Sequence, residues 1–503
     1  AARLFPRDGR SYVGCVVVRM TFDAYRLPSF TNHSPAEPPN EAPSAAPTAS
    51  QPLWQTVDVS ENLSVRYPTF SGDAAEALLE ALVEAGVRLA EVPVRALVAH
   101  VGRVADRFLD SSDPIRDKAI GLLVPTSGVS KEMASEILTG MARDWTTERL
   151  TELLWRELGD PGVLDGFRRL DAGRRIRAKG PRLTFLVGAG TVPGVSVTSM
   201  IRALLVKSAV LLKPGLGDVV LPVLFAEALA QEAPELAQAV AVSYWPGGTS
   251  ALEGLALESA EAVVAYGGND AVTSLRNRTP VTARFTAYHH RLSVGLVGRD
   301  ALTSEDAPRV AQAAARAVSM FDQRGCVSPQ AIYVEKGAEV DPEEFAGLLA
   351  SAMADIEMEI PGGSLTAADA SAVHQMRGSA ELREAAGSGV RVFRADEGFW
   401  TVILEDELRF TPSCLNRVVS LIPTPDLGVV ADSLKQVGHH LQTVAVEGAG
   451  DRLGMLAEAL CGAGATRVTS FEKAPWPPPW WRHDGTSVFA GLVRWIDLEE
   501  VDP

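Results

Sequence analysis

Arg182-Leu-Thr-Phe-Leu-Val-Gly188-Ala-Gly-Thr-Val-Pro-Gly194, then the helical spacing of Val195–Val206, then Ala209-Val-Leu-Leu-Lys213, form one strand–turn–helix–strand unit. Each strand is a short, nearly continuous apolar run bounded by glycine or proline, the pattern of a strand buried on both faces. The unit repeats downstream. A helix over Asp218–Gln231, with Asp218 as its N-cap, leads to a strand over Ala239–Trp245. A short helix, a strand over Glu261–Tyr266 and a short helix from Asn269 follow. Strands alternating with helices predict a doubly wound parallel α/β sheet. Ligands bind such sheets at the carboxyl ends of the strands, which directs attention to loops 188–194, 213–218 and 266–270.

A second alternating region follows, with strands expected at Leu292–Val297, Gln330–Glu335, 390–394, 400–404 and 418–422. Helices are expected at Glu305–Phe321, where Val310, Ala314 and Val318 share a face, at Pro342–Met353 and at 426–441. Ahead of the first array, residues 73–180 read mainly as helix: Leu97, Val101, Val104 and Phe108 form one apolar stripe, and Pro93 separates two helices. Residues 1–55 read as a disordered appendage, because the Pro-, Ala- and Ser-rich run Pro28–Pro52 cannot bury enough apolar surface to offset its ordering entropy. The chain ends on the Trp- and Pro-rich segment Ala474–Trp481 and a strand-like Val488–Trp495. The expected division is an appendage at 1–55, a helical lead-in with a dinucleotide-binding domain at 56–290, a second α/β domain at 291–470 and a return or oligomerisation segment at 471–503.

Composition narrows the function. The net charge of −16 argues against nucleic-acid binding, which needs clustered Lys and Arg. The four cysteines, Cys15, Cys326, Cys414 and Cys461, lie far apart without CxxC spacing, so neither a disulfide framework nor a metal site is expected. No apolar run reaches the roughly 18–20 residues of a membrane span. The expectation is a cytoplasmic protein with free thiols.

Three features carry chemistry. Cys326 lies in Phe321-Asp-Gln-Arg-Gly-Cys-Val-Ser-Pro-Gln330, between a helix and a strand, with Arg324 two residues before it. A thiol so placed can be a reactive thiolate with neighbouring N–H groups to hold an oxyanion, although a free cysteine is more often a small buried hydrophobe. The loop Gly188–Gly194 is a near match to a dinucleotide fingerprint, with its third glycine one place late. Lys213 ends a strand and points toward the same crevice.

The order of a Gly–Pro turn, Val-Leu-Leu-Lys-Pro at 210–214, Tyr266-Gly-Gly-Asn-Asp270 and Gln323-Arg-Gly-Cys-Val-Ser-Pro-Gln330 resembles the aldehyde dehydrogenase superfamily. Within it the chain is most similar to the acyl-CoA reductase branch, the LuxC-type fatty-acid reductases of bacterial bioluminescence. Cys326-Val-Ser-Pro-Gln330, Pro412-Ser-Cys-Leu-Asn-Arg-Val-Val419, Trp481-Arg-His-Asp-Gly485 and Leu492-Val-Arg-Trp495 carry that similarity, which spans roughly 60–500.

The resemblance implies an aldehyde-dehydrogenase-like fold of two doubly wound α/β domains with a small C-terminal extension. It implies that Cys326 is the nucleophile and that Lys213 holds the adenosine ribose of NADPH, with NAD(H) as the other nicotinamide cofactor. Gly188, Gly190 and Pro193 would shape the cofactor turn, and Gly267, Gly268 and Asn269 would pack on the dinucleotide. Thr191 stands where the superfamily places an oxyanion-binding Asn, with Ser196 or a backbone N–H as alternative donors. Tyr288-His-His-Arg-Leu-Ser-Val294 holds no acid where hydrolytic relatives carry a water-activating Glu, which favours thioester chemistry over hydrolysis. Leu216 replaces an acid that would repel a 2′-phosphate, which admits NADPH. His289 and His290 are weaker candidates for contacting pyrophosphate or donating a proton. The activity implied is reduction of a long-chain acyl-CoA to the aldehyde. Alternatives are an acyl carrier protein, another acyl-transferring protein or an acyl phosphate as donor, and an acyl-binding subunit that does not turn over. A homo-oligomer is also implied.

Overall fold

The computed structural model describes residues 20–28, 53–171, 173–248, 250–395 and 398–499. Five helices lead in: α1 (Gly72–Ala90), α2 (Val94–Leu109), α3 (Pro114–Ser127), α4 (Lys131–Asp144) and α5 (Thr147–Leu158). Leu97, Val101, Val104 and Phe108 are fully buried, so the stripe read from the sequence is the inner face of α2.

The first sheet contains β1 (Leu183–Val187), β2 (Ala209–Lys213), β3 (Val240–Ser243), β4 (Ala262–Tyr266) and β5 (Arg284–Tyr288). Their spatial order is β5-β4-β1-β2-β3, all parallel, with Tyr25–Arg26 added antiparallel at the β3 edge. The winding reverses between β1 and β4, which opens the ligand crevice beyond their carboxyl ends. Helix α6 (Val195–Leu205) follows β1 and α7 (Val220–Glu232) follows β2.

The second sheet contains β6 (Leu292–Val297), β7 (Pro329–Glu335), β8 (Arg391–Arg394), β9 (Thr401–Leu404), β10 (Val418–Thr424), β11 (Leu441–Glu447) and β12 (Arg467–Thr469). Their order is β8-β9-β10-β7-β6-β11-β12, with only β8 antiparallel. The fold is α/β with two wound sheets. Three residues, 289–291, carry the chain from the end of β5 to the start of β6. That short link sets the carboxyl edge of the first sheet against the amino edge of the second.

Several expectations need correction. Met20–Asp23 pairs parallel to Leu63–Thr69, and Leu53–Ser60 pairs antiparallel to the same strand. Residues 20–28 and 53–55 are therefore ordered, because Phe22 and Ala24 are buried against the core and Leu27 packs on it; the rest of the expected appendage lies outside the described residues. Asp218 does not cap the helix that follows it. Its carboxylate instead accepts from the N–H groups of Gly194 and Ser196, 2.8 and 3.2 Å away, and so caps α6 across the crevice. The helix expected over 426–441 spans Leu427–Leu434, and Leu441 begins β11. The terminal strand is Arg494–Glu499, six residues beyond Val488; it pairs with Arg174–Lys179, which lay inside the stretch expected to be mainly helical.

Candidate active site

Topology alone brings Cys326 to the junction between the sheets. Parallel pairing sets the start of β7 beside the start of β6, with Pro329 opposite Ser293. Cys326, three residues before β7, must then lie next to the 289–291 link and face the crevice of the first sheet. Ser293 Oγ fixes this by donating to the Cys326 carbonyl at 2.6 Å.

The approach to the thiol is strained. Helix α8 (Ala307–Ser319) ends, and Phe321, Asp322 and Gln323 follow with φ of 59°, 49° and 62°. Non-glycine residues in this left-handed region cost of order 1–3 kcal/mol each and persist only when their surroundings over-determine them. Arg417 supplies that determination. Its guanidinium lies 2.8 Å from Asp322 Oδ1 and 2.8 Å from Glu357 Oε2, and donates to the Ile360 carbonyl at 2.9 Å. Asp322 also accepts from the Gly363 N–H, and Gln323 Nε2 donates to the Pro329 carbonyl. Arg417 itself belongs to a left-handed triplet, Leu415–Arg417. The Pro412–Val419 motif thus braces the Cys326 loop from behind. Cys414 beside it is a half-buried packing residue.

Arg324 does not face the thiol. It donates outward to the carbonyls of Ser127 and Ser364. Burial, then the Asp484 charge, push the Cys326 thiol up to about 12, against the opposing pull of the Gln442 amide, its own backbone N–H and Arg291. The resting group is a neutral thiol, not the thiolate anticipated beside Arg324.

One polar partner of the thiol was not singled out from the sequence. His483 Nε2 lies 4.0 Å from Cys326 Sγ. The imidazole is stacked between Tyr288 and Trp481, with ring centroids 4.4 and 4.7 Å away. Burial depresses His483 to about 4. Its neighbour Asp484, at φ 56°, pairs with Arg291 at 3.1 Å and accepts from Gln442 Nε2 at 2.8 Å. The signal was the His-Asp-Gly run itself, but 157 residues separate Cys326 from His483 and no local pattern joins them.

The pocket over the thiol is mostly apolar. Met141, Val192, Val195, Phe321, Trp476, Trp481 and the Pro477–Pro479 run line it, with Tyr266, Arg202 and Asp144 as its polar wall. Trp476 packs edge-on to Phe321 at 5.1 Å, so the Trp- and Pro-rich segment forms the roof. Asp144 enters from α4, an acid from an element the 288–294 stretch did not include; it pairs with Arg149 at 3.0 Å, and burial raises it to about 6. Thr191 is exposed, and the pocket wall passes through its neighbour Val192. Ser196 is fully buried behind the Gly188 turn and does not line the pocket, which removes it as an oxyanion donor. His289 and His290 join His439 and His440 on the link between the sheets, outside the pocket wall.

The remaining predicted residues gather along the crevice. A Cβ on Gly188 would lie 2.2 Å from Ser196 Oγ, and one on Gly215 would lie 2.5 Å from the Cα of Gly190. The turns after β1 and β2 therefore pack backbone against backbone, and buried Pro193 closes the first of them. Lys213 ends β2 with its Nζ 6.0 Å from the centre of the Trp245 ring, and burial lowers its pKa. Glu253 at the edge of that ring accepts from Trp245 and Arg278. Gly267 and Gly268 are exposed after β4, and Gly268 caps the helix Asn269–Arg278. A bare backbone cradle, a helix start and a lysine at a switch point suit a dinucleotide.

The family model described as acyl-CoA reductase (LuxC) matches residues 89–495. This chain belongs to the LuxC acyl-CoA reductase family. The long-chain acyl-protein thioester reductase of Photobacterium phosphoreum is 25% identical to this LuxC-family chain over 279 residues, covering 54% of each protein. That of Photorhabdus laumondii is 27% identical over 189 residues, 37% of this chain and 38% of its own. The chain thus matches about half the length, or less, of these relatives. Among solved structures, the NADP-dependent glyceraldehyde-3-phosphate dehydrogenase of Bacillus halodurans superposes with a TM-score of 0.66 at 12% identity, over 89% of this chain and 96% of its own. The benzaldehyde dehydrogenase of Corynebacterium glutamicum gives 0.63 at 16% identity, over 89% and 95%. The LuxC-family chain has the aldehyde dehydrogenase fold.

Proposed function

We propose that this protein reduces a long-chain fatty acyl thioester to the aldehyde through an acyl-enzyme on Cys326, with NADPH as reductant. The observation that carries this reading is a lone thiol at the base of an apolar pocket, facing a dinucleotide-type crevice. The Cys326 thiol attacks the thioester carbonyl and takes over the acyl group. The Cys326 backbone N–H steadies the oxyanion, with Thr191 as the side chain nearest the superfamily's donor position. Met141, Val192, Phe321 and Trp476 hold the start of the acyl chain and exclude water. Both carboxylates near the thiol are engaged, Asp144 by Arg149 and Asp484 by Arg291. Neither is left free to activate water, which protects the acyl-enzyme from hydrolysis.

Lys213, Gly188, Gly190, Pro193, Gly267, Gly268 and Asn269 would hold the cofactor. When bound there, a nicotinamide cofactor supplies the reducing equivalent for the acyl carbon. Leu216 presents no charge against a 2′-phosphate, which favours NADPH. The names of the two relatives favour an acyl-protein as donor, with acyl-CoA as its chemical equivalent at the thioester. Exposed Phe167, Leu170 and Trp495 near the sheet that Arg494–Glu499 joins would supply a self-association surface. Exposed Thr191 supports a second reading, an acyl-binding subunit without turnover. Incubation with palmitoyl-CoA and NADPH distinguishes the two: aldehyde with cofactor oxidation supports the reductase, and acylation of Cys326 alone supports the subunit.

A further inference from the structure

We infer that His483 is the group that takes the proton from the Cys326 thiol during acyl transfer and returns it to the departing thiol. The inference rests on the acyl-enzyme reading above and adds the residue that makes a neutral thiol competent.

The thiol proton must go somewhere, and the surroundings leave one base: the Gln442 amide also contacts the thiol, but an amide oxygen can accept a hydrogen bond without taking the proton. Arg202, Arg291 and Arg467 are cations. Asp484 is held by Arg291 and Gln442, and Asp144 by Arg149. The Tyr266 phenol shares a hydrogen bond with Ser199, and burial raises its pKa and that of Tyr288. His483 Nε2, 4.0 Å from Sγ, remains. The stack between Tyr288 and Trp481 fixes the ring plane, and burial keeps the imidazole neutral and able to accept.

The step balances. As Cys326 Sγ bonds to the acyl carbon, the S–H proton becomes strongly acidic and passes to Nε2. The carbon–sulfur bond to the donor then breaks, and the imidazolium protonates the leaving thiolate. An acyl thioester and a cysteine thiol become a cysteine thioester and a free thiol, with no redox change. Asp484, with Oδ1 3.8 Å from Nε2, faces the transient imidazolium and lowers its cost.

The test uses the full chain with palmitoyl-CoA and no cofactor, following CoA thiol release and acyl mass on Cys326 in the first turnover. His483→Ala should slow acylation by about 10²–10³-fold, the usual scale of general acid–base catalysis. Added imidazole should restore part of the rate, because the deletion leaves a ring-sized gap beside the thiol, and NADPH affinity should not change. His483→Gln, which keeps much of the volume, should be as slow as His483→Ala. Wild-type rates in either variant would overturn the inference. So would a loss that imidazole leaves untouched, accompanied by lowered thermal stability, since that marks a packing role. If the wild type itself does not acylate, or Cys326→Ala acylates equally, the acyl-enzyme reading fails and takes the inference with it.

Discussion

Arg417 Nη2 and Asp322 Oδ1 form a 2.8 Å ion pair with side chains only 1% and 5% exposed. The pair joins two left-handed triplets, one leading to Cys326 and one at the entry to β10. Breaking one side of a buried pair leaves an uncompensated charge and costs about 3–5 kcal/mol. Arg417→Met should lower stability by that order in denaturant titration and slow Cys326 acylation in the protein that remains folded. Unchanged acylation in the folded fraction would show that the loop holds its shape without the pair.

The proposed cofactor cradle can be tested separately from the thiol. Gly215→Ala places a methyl 2.5 Å from the Cα of Gly190, so the backbone must move. Lys213→Met removes the positive charge at the end of β2. Each should weaken NADPH binding by about 10-fold or more, the equivalent of about 1.4 kcal/mol, while first-turnover acylation of Cys326 stays near wild type. Fluorescence titration with NADPH measures the first and acyl mass the second.

The pocket roof is tested at Gly140. A Cβ there would lie 2.2 Å from the Trp476 ring, so Gly140→Ala must displace the indole. Rates with long-chain thioesters should fall several-fold while short-chain rates change little. Equal effects on both would place the acyl chain elsewhere.

Stability should depend on pH through His483. Its folded pKa, about 4, lies below the unfolded value of about 6.5, so the unfolded chain binds more protons in between. The contribution is fully present above about 6.5 and is lost as pH falls toward 4, to a total of about 3 kcal/mol. His483→Gln should flatten the stability profile over that window. A profile identical to wild type would mean that His483 is not buried as neutral imidazole.

The strands of both wound sheets were legible wherever an apolar run carried its own turn signals, as in β1, β2 and β6. Cys326 was singled out because its motif is contiguous, and it lies in the wall of the apolar pocket. His483, Asp484 and Arg417 were not assigned roles, because each acts on a partner brought near only by the packing of the two sheets. The same holds for Asp218: its position before α7 suggested a local cap, and the crevice turned its carboxylate to α6. Met20–Arg26 was misjudged because its pairing partners, around Leu63–Thr69 and Val242–Ser243, lie well downstream. Arg324 was read from proximity in sequence, whereas the left-handed turn at 321–323 aims it outward.

The proposed thioester reduction through Cys326 is tested in one reaction. Purified protein is mixed with palmitoyl-CoA and NADPH, nicotinamide absorbance and aldehyde are followed together, and Cys326→Ala is run in parallel. The account predicts equimolar NADPH oxidation and aldehyde in the wild type, and neither in the variant. Aldehyde formation by Cys326→Ala at the wild-type rate would contradict it.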